Sequence, residues 1–224
     1  GDARQSLKQR VLGAPVRASL SALSGPLRAW DQRSAASADR YLANSTVTRD
    51  AVRAVYGIEA EILPPPPALL PEGPEATVEG IEPGYYLCVA RLLPYKNVDV
   101  VIRAVAMIPG ARLVVVGGGP DLGRLRRLAE QNSDRIHLLG RIPDEQLRWL
   151  YRNSGALVAA SYEDYGLSPL EAAAFGKPSV VMHAGGYLDT VVEHRTGVFF
   201  EEPVADQIAF SLDIASRRSW DEAA

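Results

Sequence analysis

From Tyr85 onward the chain alternates short apolar runs with segments of helical period. The runs at residues 85–90, 112–116, 136–138, 156–160 and 179–182 are continuous rather than alternating, with residues 197–200 as a sixth. Continuous apolar runs mark strands buried on both faces, which is the pattern of a parallel sheet. Between and after them, residues 98–107, 121–131, 144–153, 168–175, 187–193 and 204–216 predict helices. Strand and helix in strict alternation predict an α/β fold with a doubly wound parallel sheet covered on both sides.

Before Pro83 the pattern is weaker. Residues 1–40, rich in Ala, Arg and Ser, read as helix or mobile segment. Tyr41 to Ser45 reads as a short strand ending in an N-cap signal, Thr48 to Tyr56 as a helix stopped by Gly57, and Ala60 to Leu63 as a strand. Pro64, Pro65, Pro66 and Pro67 form a stiff extended run, and residues 68–83 stay linker-like. The expected division is therefore 1–67, a linker at 68–83, and a Rossmann-like domain at 84–224 with right-handed crossovers.

Composition adds bounds. Hydrophobic content of 47% and charge of 23% over 224 residues describe an ordinary globular chain. No apolar run approaches the length of a membrane span. The single cysteine, Cys88, lies in a strand pattern and reads as a buried, inert thiol, and the expected compartment is a reducing cytoplasm. The chain starts with Gly and shows no signal peptide, so a fragment of a longer chain is expected. Residues 1–49 carry a net charge of +5 and the rest −8. The basic end reads either as a contact for an anionic membrane surface or a partner, or as solvated arginines. No nucleic-acid module is recognisable.

The richest chemistry lies after the fourth strand, where Glu163 and Glu171 stand with seven residues between them. Strand, loop and helix here put a ligand at the carboxyl end of a parallel sheet. Pro169 fits the first helical position with Ser168 as N-cap, and the free N–H groups of such a start attract phosphate. Gly166 permits close approach of backbone to ligand. Glu171 can accept two hydroxyl hydrogen bonds, as from a ribose diol, and Glu163 stands where a sugar beyond the phosphates would lie.

Arg91 and Lys96 follow the first strand and can neutralise a diphosphate and its departing oxygen. Gly117, Gly118 and Gly119 with Pro120 read either as a binding loop or as a tight strand-to-helix turn. Gly140, Arg141 and Ile142 offer backbone to a nucleobase edge, with Ile142 packing on the ring, or else form a loop and N-cap. Gly185 and Gly186 could expose N–H groups to a sugar or phosphate. His137, His183 and His194 belong to no motif and read as structural. There is no zinc spacing and no Asp-x-Asp pair, so neither a metal nor another cofactor is expected.

The Glu163–Glu171 segment resembles the E-x7-E motif of retaining glycosyltransferases of the GT-B fold, family 4 in particular. Ala38 to Ser45, Ile62 to Pro66, Arg91 to Lys96, Val116 to Pro120 and Gly140 to Pro143 are similar to further stations of that family, in order. The resemblance covers nearly the whole chain, with residues 1–67 as the tail of the acceptor-binding lobe and the rest as the donor lobe. It implies a hexosyltransferase using a nucleotide-diphosphate sugar and a glycan or lipid-linked acceptor. On this reading Arg91, Lys96 and Glu163 are catalytic. Gly117, Gly118, Arg141, Ile142, Tyr165, Gly166, Leu167, Ser168 and Glu171 bind the donor, Leu167 and Ser168 through backbone N–H groups. The stretch from Arg91 to Lys96 resembles mannosyltransferase-like members, which implies GDP-mannose, with a UDP-sugar as the alternative. The implied place is the cytoplasm, with peripheral contact on the inner face of the membrane. Where the family commonly carries Glu this chain has Asp189, and most of the acceptor lobe has no counterpart here. A fragment that binds nucleotide-sugar without turnover is a reading of a different class. An epimerase of the same fold would need further acid/base residues that the sequence does not offer.

Overall fold

The computed structural model describes residues 23–220. The expectations for residues 1–22 lie outside the described residues. The chain divides into two compact units. Described residues up to Ala43 with Arg49–Glu61 form one, and Asn44–Thr48 with the chain from Ile62 onward form the other.

In the smaller unit, residues 23–36 form helix α1, and most of helix α2 (Thr46–Tyr56) follows strand β1 (Leu42–Ala43). β1 pairs with β2 (Glu61–Ile62) in a two-stranded sheet. The Tyr56 hydroxyl donates to Asp31 at 2.8 Å and ties α2 to α1.

The larger unit holds a six-stranded sheet made of β3 (Tyr85–Val89), β4 (Leu113–Val116), β5 (Ile136–Gly140), β6 (Ser154–Ala159), β7 (Ser179–Met182) and β8 (Gly197–Phe200). Every neighbouring pair is parallel, and the spatial order is β5-β4-β3-β6-β7-β8. The chain thus winds outward from β3 in one direction, returns beside β3 as β6, and winds outward in the other. That is the doubly wound order expected of a Rossmann-like sheet.

Period-2 geometry sends alternate residues of each strand to opposite faces. Leu113 and Val115 join one apolar cluster while Val114 and Val116 join the other, and Leu157 and Val158 divide the same way. The first cluster is covered by α3 (Val98–Met107), α4 (Leu122–Ala129), α7 (Tyr187–Thr190) and α8 (Ala205–Arg217). The second is covered by α5 (Asp144–Asn153) and α6 (Leu167–Ala174). Both faces being dry explains why the strands read as unbroken apolar runs.

Element ends differ from expectation by local causes. α4 stops at Ala129 and tightens into a 3-10 turn over Glu130–Asn132. Arg135 then donates to the carbonyls of Val105, Ala106, Ile108 and Ala111 and closes the end of α3. α7 ends at Thr190 rather than near 193, because Val191 turns extended and His194, at φ +63°, returns the chain to bridge Glu193 with Gly197. The linker-like stretch carries no helix or strand, yet it is packed down. Leu69 is buried in the second cluster, with Val78 and Ile81 against it.

Gly117, at φ +132°, passes so close to the Ala90 carbonyl that a Cβ would lie inside its van der Waals radius. Gly117→Ala is expected to lower unfolding free energy by roughly 2–4 kcal/mol. Gly123→Ala, on the exposed side of α4 where a Cβ meets only the Arg127 guanidinium at 3.8 Å, is expected to raise it by about 0.5–1 kcal/mol. Urea midpoints moving in the same direction for both variants would contradict this assignment.

Candidate functional site

β3 and β6 lie side by side, but the chain leaving β3 goes to the first face, through α3, and the chain leaving β6 goes to the second, through α6. A crevice opens between such diverging connections. A cleft of about 540 Å³ occupies this place.

Arg91 lines the cleft at the end of β3 and is exposed. A 3-10 turn, Pro94–Lys96, then carries Lys96 inward. Asn97 follows in the left-handed region at φ +52°, and its side-chain N–H donates to the Ala160 carbonyl at 2.8 Å. This bond pins the Lys96 turn to the end of β6. The Lys96 ammonium is ion-paired with Glu163, their side chains 13% and 21% exposed. Glu163 also accepts from the Ser161 hydroxyl, which lies 3.3 Å from the buried Tyr187 hydroxyl. Burial pushes the Tyr187 phenol up from its ordinary range, and the Ser161 hydrogen bond opposes this. An ammonium has three donors. One serves Glu163, and two remain for a ligand.

Gly117 and Gly118 line the cleft after β4, and Arg141 lines it after β5. A Cβ on Gly118 would come within 3.1 Å of the Arg141 side chain, so the glycine makes room for the guanidinium arm. Neither Arg91 nor Arg141 forms an ion pair among the described residues. The glycine turn is sterically required and also borders the cleft. Ile142 is not brought into the cleft. Its side chain is drawn onto the second apolar cluster, alongside Leu139 and Leu147.

Tyr165, Gly166, Leu167, Ser168 and Glu171 all line the cleft. The entry to α6 differs from expectation. The helix begins at Leu167, its N-cap is Gly166 at φ +90°, and Ser168 is inside the first turn with no capping hydrogen bond. Pro169 is tolerated there because the first turn's N–H groups have no intrahelical partner anyway. Only a residue free to take positive φ can turn the chain this sharply into the helix. Leu167 and Ser168, in the first turn, border the cleft, and this end of a helix favours anions.

Glu171 is buried, 9% exposed, one turn into the helix. Its carboxylate accepts from the Tyr151 hydroxyl at 2.6 Å, and the Leu69 backbone N–H also favours its charged form. Burial raises its pKa, and the Tyr151 hydrogen bond and the Leu69 N–H oppose the rise. Tyr151 is itself raised well above its ordinary value, by burial first and then by the Glu171 charge.

Gly186 does not present its N–H to the cleft. It donates to the Glu163 carbonyl at 2.7 Å, and a Cβ there would collide with the Tyr165 backbone. The glycine pair lets two loops touch. Asp189 is exposed and accepts from the Thr46 N–H at 2.7 Å and from its hydroxyl, capping the start of α2. Cys88 is buried, its thiol pushed up to about 12 by desolvation and held back a little by Lys96. His183 lies 2.8 Å from Glu201, and His137 sits within β5. Sequence reasoning missed Asn44, which lines the cleft with a buried Oδ1 that finds no partner among the described residues. It also missed Asn97, Ser161, Tyr187 and Tyr151, which act through tertiary contacts. Only Asn97 carried a local signal, an Asn just before a helix start.

Among the described residues no cluster of His, Cys, Asp or Glu is placed to hold a metal, and no helix is long and apolar enough to cross a membrane.

The family model for glycosyl transferases group 1 matches residues 74–219. A D-inositol 3-phosphate glycosyltransferase of Mycobacteroides abscessus is 34% identical over 118 residues, 49% of this chain and 27% of that protein. A GDP-mannose-dependent alpha-(1-6)-phosphatidylinositol monomannoside mannosyltransferase of Mycobacterium tuberculosis is 32% identical over 139 residues, 55% of this chain and 36% of that protein. The matched region thus spans well under half the length of these relatives. Among solved structures, the lipopolysaccharide outer core galactosyltransferase WaaB aligns over 83% of this chain and 56% of its own, with TM-score 0.65 and 20% identity. Anabaena HepE in complex with UDP and glucose aligns over 80% and 53%, with TM-score 0.67 and 19% identity. These structures share the two-lobed GT-B architecture's sheet, and at such identity the likeness concerns the fold.

A raised carboxyl pKa in the folded state means that the native protein binds the proton more tightly than the unfolded chain. The associated stability is present below the ordinary carboxylate range and is lost as pH rises through the raised pKa of Glu171. Glu171→Gln should therefore gain stability relative to wild type between about pH 4 and pH 7. Urea denaturation across that range tests this, and a constant difference would refute it.

Proposed function

Because this chain belongs to the group 1 glycosyl transferases, we propose that its cleft binds a nucleotide-diphosphate sugar and delivers the hexose to a glycan or lipid-linked acceptor. One observation carries the reading. Arg91, Lys96, the first turn of α6, Glu163 and Glu171 converge on one cleft at the point where the strand order reverses. In this arrangement the diphosphate lies against Arg91, Lys96 and the α6 N–H groups. The ribose diol lies on Glu171, and the sugar extends toward Glu163 and Asn44. Gly117, Gly118 and Arg141 border the nucleoside.

Transfer breaks the bond between the anomeric carbon and the phosphate oxygen and forms one to the acceptor oxygen on the same face, with retention. Arg91 and Lys96 stabilise the charge that develops on the departing phosphate. The acceptor proton passes to that phosphate, so no dedicated nucleophile is needed. The donor we favour is GDP-mannose, supported by the similarity to a GDP-mannose-dependent mannosyltransferase. A UDP-sugar is the second reading, supported by the likeness to HepE bound to UDP and glucose. The acceptor, and a cytoplasmic place with peripheral contact to the membrane face, belong to the same proposal, as does turnover itself, since relatives are much longer than the region matched.

The test is calorimetric titration with GDP and UDP. One of the two is expected to bind, and chelator should leave the affinity unchanged, since Arg91 and Lys96 supply the positive charge for the diphosphate; strict metal dependence would count against this account. Lys96→Ala is expected to weaken nucleoside-diphosphate binding by about tenfold or more, the scale of one charge-assisted hydrogen bond. Binding of the bare nucleoside should be little affected, and equal losses for both ligands would remove the phosphate role of Lys96.

A further inference from the structure

Tyr151 lies in the core behind Glu171. Its side chain is 0% exposed and belongs to the second apolar cluster, and it does not line the cleft. Its hydroxyl nevertheless donates to Oε2 of Glu171, which does line the cleft. The ring is stacked on Phe175, one turn further along α6, with centroids 5.4 Å apart and an interplanar angle of 15°. The Arg152 guanidinium covers the same Phe175 ring at 5.4 Å. The position of the hydroxyl is therefore set by packing between α5 and α6, with no contribution from a ligand.

We propose that Tyr151 is a positioning residue for nucleotide recognition: its hydroxyl holds Glu171 so that its remaining lone pairs face the ribose hydroxyls. The proposal deepens the function argued above and rests on the assignment of Glu171 to the ribose.

Carboxylate acceptor capacity makes the geometry specific. An ionised carboxyl offers about four lone-pair sites. Tyr151 occupies one of them from the core side, and Glu171 itself lines the cleft, so acceptor sites remain for a diol. A diol needs two acceptors at fixed spacing, and a glutamate free to change rotamer would lose entropy on each binding event. The clamp removes that cost beforehand. It also keeps the carboxyl in its accepting form, because a hydrogen bond donated to the charged state opposes the effect of burial. A phenylalanine would fill the same space and keep the stack on Phe175. The hydroxyl is therefore the part of Tyr151 that packing does not require.

The measurement compares a nucleotide with its 2′,3′-dideoxy counterpart on the full chain. Wild type is titrated with GDP and 2′,3′-dideoxy-GDP, or with the UDP pair if UDP binds more tightly, and Tyr151→Phe is titrated with the same ligands. Wild type should prefer the ribonucleotide by about tenfold or more. Tyr151→Phe should reduce the preference to about twofold or less while binding the dideoxynucleotide as wild type does. The acid limb of its ribonucleotide binding should also move to higher pH, since Glu171 loses a bond that favours its charged form. Equal weakening of both ligands, with the preference kept, would mean that Tyr151 only supports the fold and would overturn the proposal. A wild type without preference would overturn the ribose assignment of Glu171, and the proposal with it. Tyr151→Met is a second hydroxyl-free variant for which the same outcomes are required. If neither variant folds, wild type labelled with 13C at the tyrosine Cζ decides the matter. The Tyr151 signal must move with the ribonucleotide and stay with the dideoxynucleotide, and the reverse sinks the idea.

Discussion

Right-handed crossovers oblige the chain that leaves β3 and the chain that leaves β6 to depart onto opposite faces of the sheet. Between two neighbouring strands whose continuations part, a wedge opens above the strand ends, and the candidate site follows from it. Arg91 and Lys96 reach it from one departing segment, and Glu163, the start of α6 and Glu171 from the other. The glycines of the β4 turn sit close because Ala90 and Leu92 pass directly beside them. Moving either strand would separate the cations from the helix end, which are the two elements able to hold an anion.

The charges in this wedge are unequal in freedom, and the difference is chemical. Arg91 and Arg141 lie at its exposed rim without carboxylate partners among the described residues. Lys96 and Glu163 are largely withdrawn from water and hold one another, because a part-buried charge is costly unless paired. Glu171 lies deepest and is supported by a phenol and a backbone N–H rather than by a cation. A carboxylate satisfied by neutral donors keeps its negative charge available to hydroxyl groups, whereas one neutralised by arginine would offer them less.

Parts of this were legible in the chain. The unbroken apolar runs identified a doubly covered parallel sheet, since strands dry on both sides have no reason to alternate. The spacing of Glu163 and Glu171 across a glycine and a helix start marked the turn into α6, and both carboxylates border the cleft. Other readings were altered by contacts between distant residues. Ser168 looked like an N-cap, but Gly166 enters the helix first at positive φ. Gly186 looked like an exposed donor, but its N–H is taken by the Glu163 carbonyl. Ile142 looked like a wall for a base, but the apolar cluster beneath it is nearer.

The sequence by itself determined the class of fold, the order of the strands' connections and the identity of the charged groups after β3 and β6. These depend on local periodicity, on the handedness of L-residue chains and on residue chemistry, all of which act within a few positions. Tertiary structure alone decided which of those groups are paired and which are free. Tyr151 and Glu171 are 20 positions apart, Lys96 and Glu163 are 67, and Asn97 and Ala160 are 63. Hydrogen bonds and desolvation depend on distance in space, and no local pattern in the chain encodes a distance of that kind.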